Sequence, residues 1–95
     1  MHVLDALGSP VRRTILVALR ATQLSVGELA ELLPISRPAV SRHLRLLERA
    51  GLVQARHEGT RSLYSVRLQG FAPARAYMDE FWDTALDRLV ELSKQ

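Results

Sequence analysis

The 95-residue chain contains no cysteine, which excludes disulfides, thiolate nucleophiles and thiolate metal sites. No apolar run approaches the roughly 20 residues that cross a bilayer. The opening MHVLDALGSP lacks the charged-then-apolar pattern of a targeting segment, so the expectation is a cytoplasmic protein with no membrane partner. Internal repeats, low-complexity tracts and Pro/Ser-rich linkers are also missing, and the length suits one domain over 1–95. Enzyme parts are equally scarce. There is no glycine-rich phosphate cradle, no nucleophile placed beside a base and no convergent carboxylate pair, and the serines are mostly accounted for as helix caps. The chain therefore reads as a non-enzyme with no cofactor.

What is present is arginine, and its distribution matters more than the net charge of +3. Residues 9–61 carry nine arginines against Glu28, Glu31, Glu48 and Glu58, for a charge of +5. Residues 70–95 carry Arg75, Arg88 and Lys94 against Asp79, Glu80, Asp83, Asp87 and Glu91, for −2. A basic front and an acidic rear point to a polyanion on one side only. Hydrophobic residues make up 47% of the chain and charged residues 24%, the balance of a globular domain.

Local signals order the elements as α-α-α-α-β-β-α, mainly helical with one small hairpin. A short helix from His2 to Leu7 stops at Gly8. Ser9 and Pro10 then open PVRRTILVALRA, with Ile15, Leu16 and Leu19 inward. Ser25 and Glu28 form a capping box before Leu29, Leu32 and Leu33, and Pro34 helps to stop that helix. Ser36 caps the next helix, which ends at Gly51. LVQARHEGTRSLYSVRL gives two strand-like segments around Glu58-Gly59, and the remainder reads as one long amphipathic helix. Two helices across a short turn followed by a hairpin make a winged helix-turn-helix, with the helix-turn-helix over about 25–50 and the wing over about 52–68.

On a wheel of about 100° per residue, Val40, His43, Leu44 and Leu47 share one arc of the fourth helix. Pro38, Ser41, Arg42, Arg45 and Arg49 lie opposite, with Arg37 nearer the edge. The second helix of such a motif meets base edges through its N-terminal residues, which makes Arg37, Ser41 and Arg42 candidates for reading bases in double-stranded DNA. Arg45 and Arg49 suit phosphate, as do Ser25 and Ser36 at the two helix starts.

The stretches ALGSPVRRTILVAL, LSVGELAELLPISRPAVSRHLRLLERAGLV and RHEGTRSLYSV together resemble the ArsR/SmtB bacterial transcriptional repressors over nearly the whole chain. The resemblance implies a homodimer, paired through its first and last helices, that leaves its operator when a signal arrives. By position within SRPAVSRHL it assigns DNA contacts to Arg37, Pro38, Ser41 and Arg42, and wing-tip contacts to Arg56, His57, Thr60 and Arg61. Family members that sense soft metals carry cysteines in an ELCVCDL-like stretch, whereas QLSVGEL here puts Ser25 and Gly27 at those positions. The final-helix histidines and aspartates of zinc sensors have no counterpart, since no histidine follows His57 and the matching positions are approximately Leu68 and Gly70. The resemblance is therefore to cysteine-free members, with no metal expected and the inducer unknown.

Phe71, Ala74, Met78, Phe81, Trp82, Ala85, Leu86, Leu89 and Leu92 cover an arc of about 140° on the final helix, over about 71–93. Part of that stripe is expected to pack on the chain's own core. The rest, in Met78, Phe81, Trp82, Ala85, Leu89 and Leu92 with Val3, Leu4 and Leu7, is expected to pair with a second copy. His43 is expected to be packed and hydrogen-bonded rather than a ligand, and His2 and His57 to be surface residues. The row Asp79, Asp83, Asp87 and Glu91 reads as a solvated face. The expected function is a sequence-specific repressor acting on an inverted repeat, with a protein-interaction module and a nonspecific DNA-coating protein as the alternatives.

Overall fold

The computed structural model describes residues 2–94. The chain runs α1 (Val3–Ala6), α2 (Pro10–Ala21), α3 (Val26–Leu32), α4 (Arg37–Arg49), β1 (Val53–Glu58), β2 (Arg61–Val66), a short 3-10 turn (Leu68–Phe71) and α5 (Ala72–Ser93). This is the winged helix-turn-helix order expected from the local signals.

Side-chain caps open α1 to α4. Ser9 Oγ accepts from the Arg12 amide and Ser36 Oγ from the Ala39 amide, each at 3.3 Å. Ser25 and Glu28 form the complete reciprocal capping box, with Ser25 Oγ accepting from the Glu28 amide at 3.2 Å and Glu28 Oε1 accepting from the Ser25 amide at 3.0 Å. His2, read as a plain surface residue, is exposed but also caps α1, its Nδ1 accepting from the Leu4 amide.

The end of α4 is a Schellman motif. Gly51 adopts φ +78°, its amide donates to Glu48 O and the Leu52 amide donates to Leu47 O, while Leu47 and Leu52 are both fully buried. The chain then turns directly into β1. Strands β1 and β2 pair antiparallel from Val53↔Val66 to Glu58↔Arg61, so the loop is Gly59-Thr60, one residue later than the centre read from the sequence. Gly59, with φ +63°, supplies the positive φ that a two-residue hairpin loop needs at its first position. A two-way backbone bridge between Leu24 and Tyr64, at 3.0 and 2.8 Å, fastens the hairpin to the segment between α2 and α3.

The core gathers Ile15, Leu16 and Leu19 from α2, Leu29 from α3, Val40, Leu44 and Leu47 from α4, and Leu52 and Val53 beyond them. Val3 and Ala6 of α1 and Ala74 of α5 extend it to the other side. Arg12 and Arg13 hold α1 in place by donating to the carbonyl oxygens of Asp5, Ala6 and Leu7. At the far edge Gly70 lies against Gly51 so closely that a Cβ on Gly70 would overlap the Gly51 carbonyl.

Beyond Ala74 the long helix leaves the core. Tyr77, Met78, Phe81, Trp82, Leu86, Leu89, Val90 and Leu92 are all exposed. The radius of gyration is 17.1 Å, against roughly 12 Å for a compact domain of this length. The accessible surface is 6735 Å², against roughly 5,500 Å² for a compact monomer of this mass. Both differences follow from a helix of about 33 Å that rests on the domain only at its start. The expectation that part of the stripe packs on the chain's own core thus holds for Ala74 and the half-buried Phe71, and hardly beyond. Val3, expected on the pairing surface, is buried in the chain's own core, and Leu7 packs against that core; Leu4 is exposed.

Candidate DNA interface

Ser36 opens α4 at the surface, so the first turn of that helix projects from the domain. Arg37, Pro38, Arg42, Arg45 and Arg49 are exposed and Ser41 is half-buried, while Val40, Leu44 and Leu47 on the opposite side are fully buried. No ion pair engages Arg42, Arg45 or Arg49 among the described residues. Three guanidinium groups therefore stand free on one face of one helix.

The wing adds to this face unevenly. Arg61 and Thr60 join Arg37 around a cleft of about 390 Å³ whose other walls are Ser25, Val26, Gly27, Ser62 and Tyr64. Gly27 lets the Arg37 guanidinium lie close, since a Cβ there would sit 3.0 Å from its terminal nitrogen. Arg61 approaches Glu28 Oε1 at 3.6 Å. Arg56, by contrast, turns to Glu58 at 3.1 Å and donates to Gln23 Oε1 at 3.3 Å. His57 is exposed and its Nδ1 lies 3.0 Å from Ser62 Oγ.

Ser25, expected on the phosphate-binding surface, is buried, with its hydroxyl committed to the start of α3. Glu28 was legible as a cap, but nothing in the sequence signals its approach to Arg61, because the chain between them has to fold first. Gly27, Ser62 and Tyr64 were likewise unmarked as cleft residues.

Two titrating groups border this surface. The Glu28 carboxyl is held below its ordinary range, chiefly by the hydrogen bond from the Ser25 amide, then by the Ser25 side chain, with Arg61 adding a smaller effect against desolvation. His43, on the inner edge of α4, is pushed down by burial and then by the charges of Arg12 and Arg42. Its Nδ1 is buried without a hydrogen-bond partner among the described residues, so the expectation of a packed histidine holds and that of a hydrogen-bonded one does not.

Known proteins resemble this chain in sequence and fold. The family described as "Bacterial regulatory protein, arsR family" matches residues 9–55, from the α2 cap into the first strand of the wing. The HTH-type transcriptional regulator Rv2034 of Mycobacterium tuberculosis is 46% identical over 88 residues, covering 93% of this chain and 82% of that protein. The transcriptional repressor SdpR of Bacillus subtilis is 34% identical over 65 residues, covering 68% of this chain and 72% of that protein. A crystal structure described as "Possible transcriptional regulator for arsenical resistance" superposes with a TM-score of 0.82 at 41% identity, covering 96% of this chain and 95% of that one. An exposed arginine face on the second helix of a helix-turn-helix, a wing beside it and these likenesses together place the chain in the ArsR family of DNA-binding transcription regulators, which are not enzymes.

Proposed function

We propose that this chain is a transcriptional repressor that binds, as a homodimer, an inverted-repeat operator overlapping a promoter. The observation that carries the reading is the exposed arginine row on α4 beside the Arg37–Arg61 cleft. Arg37, Ser41 and Arg42 read base edges in the major groove, Pro38 packs beside them, and Arg45 and Arg49 grip phosphate. Ser36 contacts the backbone at the helix start, and Thr60, Arg61 and the neighbouring His57 and Arg56 follow the DNA from the wing. Ser25 serves this surface as a cap rather than as a phosphate ligand. The dimer rests on Met78, Phe81, Trp82, Ala85, Leu89 and Leu92 of α5, with Leu4 and Leu7 at its edge. It sets the two recognition helices about 34 Å apart, one turn of duplex. A winged helix built to bind proteins would carry apolar or mixed residues where α4 carries arginine.

The test is binding of the purified protein to the DNA upstream of its own gene against random duplex at two salt concentrations. The expected result is a preference of at least about a thousandfold with steep salt dependence. Equal, weak binding to both duplexes would falsify the sequence-specific reading and leave a nonspecific grip.

A further inference from the structure

Glu28 is the one acid that the fold brings against the arginines of the DNA-facing cleft among the described residues. Its Oε1 has two engagements at once, accepting from the Ser25 amide at 3.0 Å and facing Arg61 Nη1 at 3.6 Å. The first fixes the carboxylate in the capping box, so it meets Arg61 from a set position rather than from a free side chain. The second ties β2, just past the wing loop, to the first turn of α3. Arg61 makes no other ion pair among the described residues, and it lies 55% exposed, within reach of solvent and of a polyanion. A carboxylate and a DNA phosphate present the same thing to a guanidinium: an anionic oxygen pair or edge.

We propose that Glu28 is a built-in phosphate mimic, holding Arg61 and the wing in position in the DNA-free protein and competing with DNA backbone for that arginine. This rests on the DNA-binding reading of the same surface. Glu28 is thus a positioning residue. It steadies the wing when no DNA is bound, and it lowers the affinity of the wing for operator and random duplex alike. Exchange of Arg61 from Glu28 to phosphate accompanies binding, and Glu28 stays satisfied by the Ser25 amide throughout.

The test is a cycle of Glu28→Gln, Arg61→Ala and the double variant. Each is assayed on operator and random duplex at two salt concentrations, with hydrogen exchange of Gly59–Ser62 measured without DNA. Gln keeps the oxygen that accepts from Ser25 and loses the charge that holds Arg61. Glu28→Gln should tighten both duplexes by about two- to fivefold, with a steeper salt dependence. In the Arg61→Ala background that gain should disappear. Glu31→Gln, an equal charge change on the exposed side of α3, should give a smaller gain that Arg61→Ala does not remove. Wing exchange in the DNA-free protein should rise with Glu28→Gln and with Arg61→Ala, and not with Glu31→Gln. A gain that persists without Arg61, or wing exchange that does not change, would overturn the proposal. Failure of the parent protein to bind DNA would instead sink the DNA-binding reading, with the exchange measurement still deciding whether Glu28 holds the wing.

Discussion

Arg37 and Arg42 stand on the same helix but in different surroundings, and this separates their expected roles. Arg42 is free on the outer face of α4, whereas Arg37 lies over Gly27 in the cleft shared with the wing. Replacing either with alanine should lower the preference for operator over random duplex by about 1–3 kcal/mol for each base edge left unread. Arg61→Ala should weaken both duplexes alike, because a wing that grips backbone carries no sequence information. Competition binding with the two duplexes checks all three. His43 gives a prediction of a different kind. Its folded pKa lies below the ordinary imidazole value, so the unfolded chain takes up its proton first as pH falls. Stability from this residue is fully present above the ordinary value near 6.5 and is lost as pH falls through the lower, folded value. Urea unfolding at pH 7.5 and 5.5 should show a drop in the parent protein that His43→Gln diminishes. The Glu28 carboxyl acts in a separate window, below its ordinary value of 4.5.

At the scale of elements, the ends of the helices were the most legible part of the chain. Ser9, Ser25, Glu28, Ser36 and Gly51 act through neighbours three to five residues away, and such contacts can be read from spacing alone. The outer face of α4 was legible for the same reason, since a helix face follows from periodicity. The partners of the wing were not. The Leu24–Tyr64 bridge and the Arg61–Glu28 pair join residues more than 30 positions apart, and no local pattern encodes which side chains meet there. Gly70 shows the same limit. Singled out in the sequence only as the approximate counterpart of a zinc-sensor ligand position, it proves to be required by the Gly51 carbonyl packed against it. Gly51→Ala forces an alanine into φ +78° and should cost about 1–2 kcal/mol. Gly70→Ala, which drives a side chain into backbone, should lower the melting temperature further than Gly51→Ala does at equal protein concentration. A smaller loss at Gly70 would mean that the 3-10 turn can move away from α4 at little cost.

The whole molecule is 63 × 25 × 24 Å, and its length comes from α5. An apolar stripe held out in water on so long a helix exceeds what an isolated small domain ordinarily leaves uncovered. Light scattering at micromolar concentration should give a dimer. Leu89→Glu, at a position 60% exposed in the single chain, should give a folded monomer whose operator affinity falls by more than tenfold. A variant that unfolds instead would show that α5 stabilises the domain and not only the pair. A parent protein that remains monomeric would remove the homodimer altogether.

Gly51 and Gly70 meet where α4 ends and the turn into α5 begins, and Arg67 ties the same corner by donating to Gly51 O at 3.3 Å and, from its amide, to Leu52 O at 2.9 Å. Two backbones in contact leave no side chain between them to yield. Viewed mechanically, this corner is a pivot for α4, whose 13 residues put Arg37 about 20 Å away, at the end that lies over Gly27. A tilt of about 10° at the pivot therefore carries Arg37 about 3.4 Å, the rise of a full base-pair step. On the DNA-binding reading proposed above, the register of α4 on the duplex is thus set at the corner farthest from Arg37.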